Sequence, residues 1–239
     1  MHEKHTLKVL DSEMETLVFR PDGPGPHPGL MVCQHIPVAH AGLECDPWQI
    51  GVGERLARMG YVAVMPWVFH WWPAEADISV KREGFRDDRA VADLKVAGEY
   101  LAARPDVDAN RLGIIGHCWG GRVSWLGACH NPAYKALVTL YGGRIKQSFI
   151  DGATPPIELV GGMKCSVMGI FGNEDQNPSP ADVDDLDAAL TTAGVSHVFH
   201  RYDGAGHGFQ DSSNPDRYRE AQSDDAWEKI EAFLSEALG

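Results

Sequence analysis

The sequence predicts an α/β protein, a mostly parallel, doubly wound sheet with helices on both faces. Short apolar or β-branched runs closed by Gly or Pro recur along the 239 residues, and segments with apolar positions at helical spacing separate them. No internal repeat, linker or low-complexity tract divides the chain, so residues 1–239 read as one domain of ordinary size for this fold class.

The elements follow in order. Thr16 to Phe19 and Gly29 to Cys33 are strands, and the PDGPGPHPG between them is too rich in Pro and Gly for either element and reads as a loop. Helical spacing over Trp48 to Met59 leads to a strand at Tyr61 to Pro66, then a helix over Asp87 to Ala103 and a strand at Leu112 to Gly116. A helix over Gly121 to Cys129 precedes the strand Ala136 to Tyr141. Next come Ser166 to Phe171, a helix over Ala181 to Ala193, the strand His197 to Tyr202 and a last helix over Tyr218 to Leu238. In ADVDDLDAAL the residues Val183, Leu186 and Leu190 share a helix face, which leaves the acidic residues on a solvated face.

The formal charge of −13 argues against nonspecific binding to nucleic acid or to anionic membranes. Five cysteines without regular spacing fit reduced thiols better than a disulfide framework, and MHEKHTLKVL shows no apolar core with a cleavage site. No apolar run approaches the ~20 residues that span a bilayer, so a cytoplasmic location is expected.

Chemistry concentrates at LGIIGHCWGGR, Leu112 to Arg122, where Gly116 and Gly120 flank Cys118 between an apolar run and a helix. That frame fits the nucleophile elbow of an α/β-hydrolase. Its strand-to-helix turn tolerates only small residues at the flanking positions, and the helix N-terminus beneath the sulfur favours a thiolate. A buried structural cysteine beside a glycine turn is the plainer alternative. An elbow nucleophile calls for an acid and then a histidine later in the chain, each just after a strand. Asp175 follows Ser166 to Phe171 in GNED, and His207 follows His197 to Tyr202 in DGAGHGF. In this arrangement His207 moves the proton while Asp175 fixes its tautomer and stabilises the imidazolium.

With GHCWGG at the elbow, GNEDQNPSP around the acid, GAGHGF around the histidine, QHIPVAHAG and YVAVMP, the chain resembles the dienelactone hydrolase family from about Thr16 to the C-terminus. The resemblance implies an α/β-hydrolase fold and hydrolysis of a lactone or ester through a cysteinyl acyl-enzyme, with Cys118 as nucleophile, Asp175 as acid and His207 as base. It also implies an oxyanion hole formed by the backbone N–H groups of Ile36 and Trp119. In the family a glutamate that hydrogen-bonds the resting thiol precedes the first of these residues. Here that position is His35, expected either to stand close to Cys118 and support its thiolate or to turn away and pack.

Family members acting on dienelactone carry an arginine shortly after the histidine to hold the substrate carboxylate. Here Gly208, Phe209, Gln210 and Asp211 follow His207; an acid where a cation is expected repels a carboxylate, so the substrate need not be dienelactone. Arg82 or Arg86 stands where another family arginine is expected, and Arg144 in YGGR is a further candidate cation; each is equally readable as a solvated surface residue. The loop WVFHWW, with Trp67 and Trp71, follows a strand at its C-terminal end. It reads as an apolar pocket wall or, equally, as a satellite core or a subunit contact, and Phe209 beside the histidine is a further candidate lining residue.

His35, His40 and His70 lack a tight ligand spacing, so neither a metal nor another cofactor is expected. The leading function is a cysteine-dependent lactone or ester hydrolase acting on a small molecule. Alternatives are a hydrolase of thioesters or other activated acyl groups, aromatic or polyketide-like, and a noncatalytic ligand-binding relative; the oligomeric state is left open.

Overall fold

The computed structural model describes residues 2–239. Eight strands form one sheet: β1 (His2–Val9), β2 (Ser12–Phe19), β3 (His27–Cys33), β4 (Val62–Pro66), β5 (Val107–His117), β6 (Tyr134–Leu140), β7 (Ser166–Gly172) and β8 (His197–Tyr202). Their order is β1-β2-β4-β3-β5-β6-β7-β8, with β1, β2 and β4 paired antiparallel and the remaining pairs parallel. Six α-helices connect them: α1 (Pro47–Arg58), α2 (Ile78–Glu83), α3 (Asp87–Ala102), α4 (Trp119–His130), α5 (Pro180–Ala193) and α6 (Glu220–Leu238). This is the doubly wound sheet with helices on both faces that the alternation of patterns predicts. No described helix is long and apolar enough to cross a membrane.

The central strands are buried over their C-terminal stretches because both faces of the sheet are covered. On one face, Ala90, Leu94, Ala97 and Leu101 of α3 join Val123 and Trp125 of α4 and Val183, Leu186 and Leu190 of α5. On the other, Val52 and Leu56 of α1 join Ala226, Trp227, Ile230 and Leu234 of α6. Burying each of these Val, Leu and Ile side chains contributes about 1.5–3 kcal/mol before the entropy of ordering is counted.

Local sequence punctuates the helices. Asp46 caps α1 by accepting from the Gln49 N–H at 3.0 Å, with Pro47 at the first helical position. Ser179 and Asp182 form a capping box at the start of α5, and Gly194, at φ 69°, closes its end.

Two elements lie outside the sequence expectation. β1 alternates charged and half-buried residues at the sheet edge, where Lys and Glu protect an open edge rather than mark a loop. The short helix α2 occupies the long segment before α3 and ends in Lys81 and Arg82.

The site position follows from the topology. The chain passes from β3 outward to β4 and then returns past β3 to β5, so the strand order reverses between β3 and β5. The loops at the C-terminal ends of those two strands diverge and leave a crevice there. Gln34, His35 and Ile36 follow β3 on one side of it, and Cys118 follows β5 on the other.

Candidate active site

Cys118 stands at the apex between β5 and α4 with φ 55° and ψ −118°, a conformation that residues bearing a side chain rarely adopt. Its backbone N–H donates to the Leu140 carbonyl at 2.9 Å, and its own carbonyl accepts from the Gly121 N–H at 2.9 Å. The flanking glycines are steric requirements. A Cβ on Gly116 would collide with the Gly120 carbonyl, and one on Gly120 would collide with the carbonyl of Cys33 at the end of β3. The turn is therefore clamped against the neighbouring strand and the sulfur projects into the crevice.

Two further loops converge on it. Asp175, buried beyond the end of β7, accepts from the Asn177 N–H at 2.8 Å through Oδ1 and lies 2.8 Å from His207 Nδ1 through Oδ2. His207 Nε2 lies 3.0 Å from Cys118 Sγ. Gly208, at φ 75°, lets the chain turn immediately after the imidazole, and Tyr141 packs edge-on to that ring at 5.3 Å between centroids.

The electrostatics follow from these contacts. Burial alone would raise the Cys118 pKa, but the His207 hydrogen bond and charge, with the backbone N–H groups of Trp119 and Ile36 directed at the sulfur, outweigh it and hold the thiol below its ordinary value. Burial pulls the His207 pKa down, yet hydrogen bonds to Asp175 and Cys118 carry it up to about 10. Both shifts favour a thiolate–imidazolium pair.

The pocket above the sulfur has a volume of about 350 Å³ and is lined by His35, Ile36, Cys118, Trp119 and His207, with Arg82, Arg144, Arg217 and Asp211 around them. None of the guanidinium groups of Arg82, Arg144 and Arg217 forms an ion pair or a side-chain hydrogen bond among the described residues. Asp211 is partly occupied by the Ser213 N–H, which donates to it at 2.9 Å.

Other candidates are engaged with other partners. His35 borders the pocket, but its Nε2 is 2.6 Å from Asp46 Oδ2 and its ring packs on Trp48 at 4.6 Å; no hydrogen bond joins it to Cys118. Arg86 is an exposed residue before α3, with Nε 3.2 Å from Asp88 Oδ1, and does not line the pocket. Phe209 is fully buried, edge-on to Tyr141 beneath the site.

The tryptophan loop fastens onto the body of the protein. Trp71 Nε1 donates to Asp93 Oδ2 at 3.1 Å, His70 Nε2 lies 2.9 Å from Asp93 Oδ1, and His70 Nδ1 lies 2.7 Å from Ser12 Oγ. Trp67 packs into the core with Lys81 Nζ 5.7 Å from its ring, so neither Trp67 nor Trp71 faces the sulfur pocket. For His70 and Trp71 the packing is set by polar ring atoms finding buried partners, whereas the buried Trp67 Nε1 has none among the described residues. Arg217, ten residues beyond His207, is the pocket cation that sequence reasoning misses: nothing in NPDRYRE marks it, and only the turns of the 208–219 loop bring it back to the imidazole.

A parallel-sheet crevice, a strained strand–turn–helix apex and a histidine–acid pair reaching it from later loops define an α/β-hydrolase. The chain belongs to the dienelactone hydrolase family, whose model matches residues 14–238. It is 31% identical over 220 residues, 88% of this chain and 72% of the other, to a protein of Methylorubrum extorquens described as a candidate carboxymethylenebutenolidase. It is also 28% identical over 186 residues, 75% of this chain and 74% of the other, to a Bradyrhizobium protein described as a candidate 2-oxo-3-(5-oxofuran-2-ylidene)propanoate lactonase. A solved structure from Klebsiella pneumoniae, described as a candidate dienelactone hydrolase, superposes with a TM-score of 0.87 at 26% identity and covers 98% of each chain.

Proposed function

We propose that this hydrolase cleaves ester or lactone bonds through Cys118, His207 and Asp175, by way of a cysteinyl acyl-enzyme, and favours small substrates that carry an acidic group. The observation that carries the reading is the 3.0 Å approach of His207 Nε2 to Cys118 Sγ, at a sulfur that already faces the Ile36 and Trp119 N–H groups.

The steps follow from these positions. The substrate carbonyl oxygen enters between the two N–H groups, and the thiolate attacks the carbonyl carbon, forming a C–S bond while the oxygen takes the negative charge. As the tetrahedral species collapses, the C–O bond to the leaving alkoxide breaks and the His207 imidazolium supplies its proton. For a lactone the alkoxide remains tethered to the acyl group. Neutral His207 then takes a proton from water, hydroxide adds to the thioester carbon, and C–S cleavage restores the thiolate–imidazolium pair. Asp175 keeps the imidazole in the orientation both transfers need.

The substrate class rests on charge. In a chain of formal charge −13, Arg82, Arg144 and Arg217 border one pocket without forming an ion pair among the described residues, against one acid in its lining, Asp211. Unpaired cations in a crevice draw and orient an anionic group. The Bradyrhizobium relative's description names a lactone that bears a carboxylate, in keeping with that chemistry. Steady-state hydrolysis of a carboxylated lactone and its methyl ester tests the reading. The acid should show the higher kcat/KM, with the advantage shrinking as salt is added; equal rates would remove the substrate assignment, and no hydrolysis of either would count against the activity.

A further inference from the structure

Arg144 has a left-handed backbone, φ 56°, and both of its backbone polar groups are held. Its N–H donates to Asn177 Oδ1 at 3.1 Å, and its carbonyl accepts from Arg122 Nη1. Arg122, 1% exposed in the first turn of α4, places Nη2 2.7 Å from both carboxylate oxygens of Asp87, the first residue of α3. The same carboxylate accepts the Phe149 N–H at 3.0 Å, and the guanidinium carbon of Arg122 lies 4.1 Å from the Phe149 ring centroid. Phe149 in turn stacks on Trp119, with centroids 5.4 Å apart and planes 9° from parallel.

One buried ion pair therefore fastens both ends of the 144–149 segment and ties it to the helix that begins at the nucleophile. What stays unfastened at Arg144 is its guanidinium, on a residue that lines the Cys118 pocket and the neighbouring one beside Lys146 and Asp182. A buried ion pair is a poor source of net stability, because desolvating two charges offsets their attraction. A side-chain-bearing residue persists in the left-handed region only where its surroundings over-determine it, and such places cluster at functional sites. Both facts direct attention to geometry rather than stability.

We infer that Asp87 and Arg122 are positioning residues. They hold Arg144 in its left-handed conformation so that its guanidinium faces the Cys118 pocket and selects anionic acyl groups. The inference rests on the reading of the pocket as an anion-accepting hydrolase site, and its test runs without hydrolysis.

Iodoacetate and iodoacetamide alkylate a thiolate by one displacement: the sulfur attacks the methylene carbon, a C–S bond forms, the C–I bond breaks and iodide leaves. The two reagents are nearly the same size and differ in charge. Site-resolved mass spectrometry of Cys118 gives the ratio of their rate constants. Arg144→Ala should lower the iodoacetate-to-iodoacetamide ratio about tenfold, as loss of a nearby cation requires. Asp87→Asn and Arg122→Lys should lower it by a similar factor while the iodoacetamide rate stays within about twofold of wild type. Asp87→Asn added to Arg144→Ala should change the ratio no further, because both act through one guanidinium.

An unchanged ratio in folded Asp87→Asn, equal slowing of both reagents, or a fully additive double variant would overturn the inference. If Asp87→Asn does not fold, Arg122→Lys carries the same comparison; failure of both to fold would make the pair a stability element and likewise overturn it. If wild type hydrolyses no ester yet the ratio responds as described, the activity falls and the positioning role stands.

Discussion

His207 Nε2 lies 3.0 Å from Cys118 Sγ, and the two groups shift each other's protonation in opposite directions. The thiol is held below its ordinary value while the imidazole is raised to about 10, so the ion pair occupies the interval between the two values. The two proton losses belong to the pair rather than to either residue alone. Iodoacetamide alkylation of Cys118 should therefore fall as pH drops through a midpoint below that of an ordinary thiol. His207→Gln removes the charge that lowers the pKa and leaves burial, the largest cause and one that raises it, opposed only by the Trp119 and Ile36 N–H groups, so that midpoint should move upward. Hydrolysis, which needs the imidazolium proton for the leaving group, should decline above about pH 10. An alkylation midpoint unmoved by His207→Gln would contradict the pairing.

Asp175 Oδ2 contacts Nδ1 of the same ring at 2.8 Å. Asp175→Asn nearly preserves shape but removes the charge that fixes the tautomer, and kcat should fall by about 10³-fold with a much smaller change in KM. Steady-state kinetics on a soluble aryl ester measures both; a loss confined to KM would assign Asp175 to binding instead.

His35 pairs with Asp46 at 2.6 Å rather than with the thiol. His35→Ala should leave the Cys118 alkylation midpoint within about 0.3 pH units of wild type, since no direct contact is lost. It should also destabilise the protein by about 1–2 kcal/mol, because the Asp46 carboxylate and the Trp48 face lose their partner. A midpoint shift near one unit would show that His35 acts on the sulfur after all.

The glycine before α4's second turn admits no methyl group: a Cβ on Gly120 would fall on the Cys33 carbonyl, which belongs to a central strand and cannot move aside. Gly120→Ala should cost about 3 kcal/mol or more, a drop in Tm of roughly 6–12 °C for a chain of this length. Calorimetry decides it, and an unchanged Tm would mean that the elbow is looser than this packing implies.

Asp93 is wholly buried and accepts from Trp71 Nε1, with His70 Nε2 2.9 Å away. Asp93→Ala strands both ring nitrogens and should cost about 3 kcal/mol while leaving kcat of the folded enzyme near wild type, because the loop it anchors does not line the pocket. Loss of activity without loss of stability would restore the tryptophan loop to the substrate site.

Much of this was legible in the sequence, and what stayed open in it did so for physical reasons. The strands from β3 to β7 show as apolar runs because both faces of a parallel sheet are buried, whereas β1, at one edge, alternates charged and half-buried residues and offers no such run. Cys118, Asp175 and His207 could be found because an elbow imposes glycines at fixed offsets and places its partners after strands. The surroundings of the pocket follow no such rule. His35 and Trp71 are directed by single acceptors, Asp46 and Asp93, that lie 11 and 22 residues away in sequence. Arg217 reaches the site through loop turns, and the Asp87–Arg122 pair joins two helices whose individual patterns show only an ordinary acid and an ordinary base.

The most direct test of the central claim is the intact mass of the protein after brief mixing with a panel of aryl esters and lactones, with product release followed in parallel and Cys118→Ser as the comparison. The account predicts a transient mass increase equal to the acyl group, mapping to Cys118 and decaying at the rate of turnover, and no thioester adduct in the variant. Turnover that survives Cys118→Ser undiminished, or an adduct that forms on another residue, would contradict it.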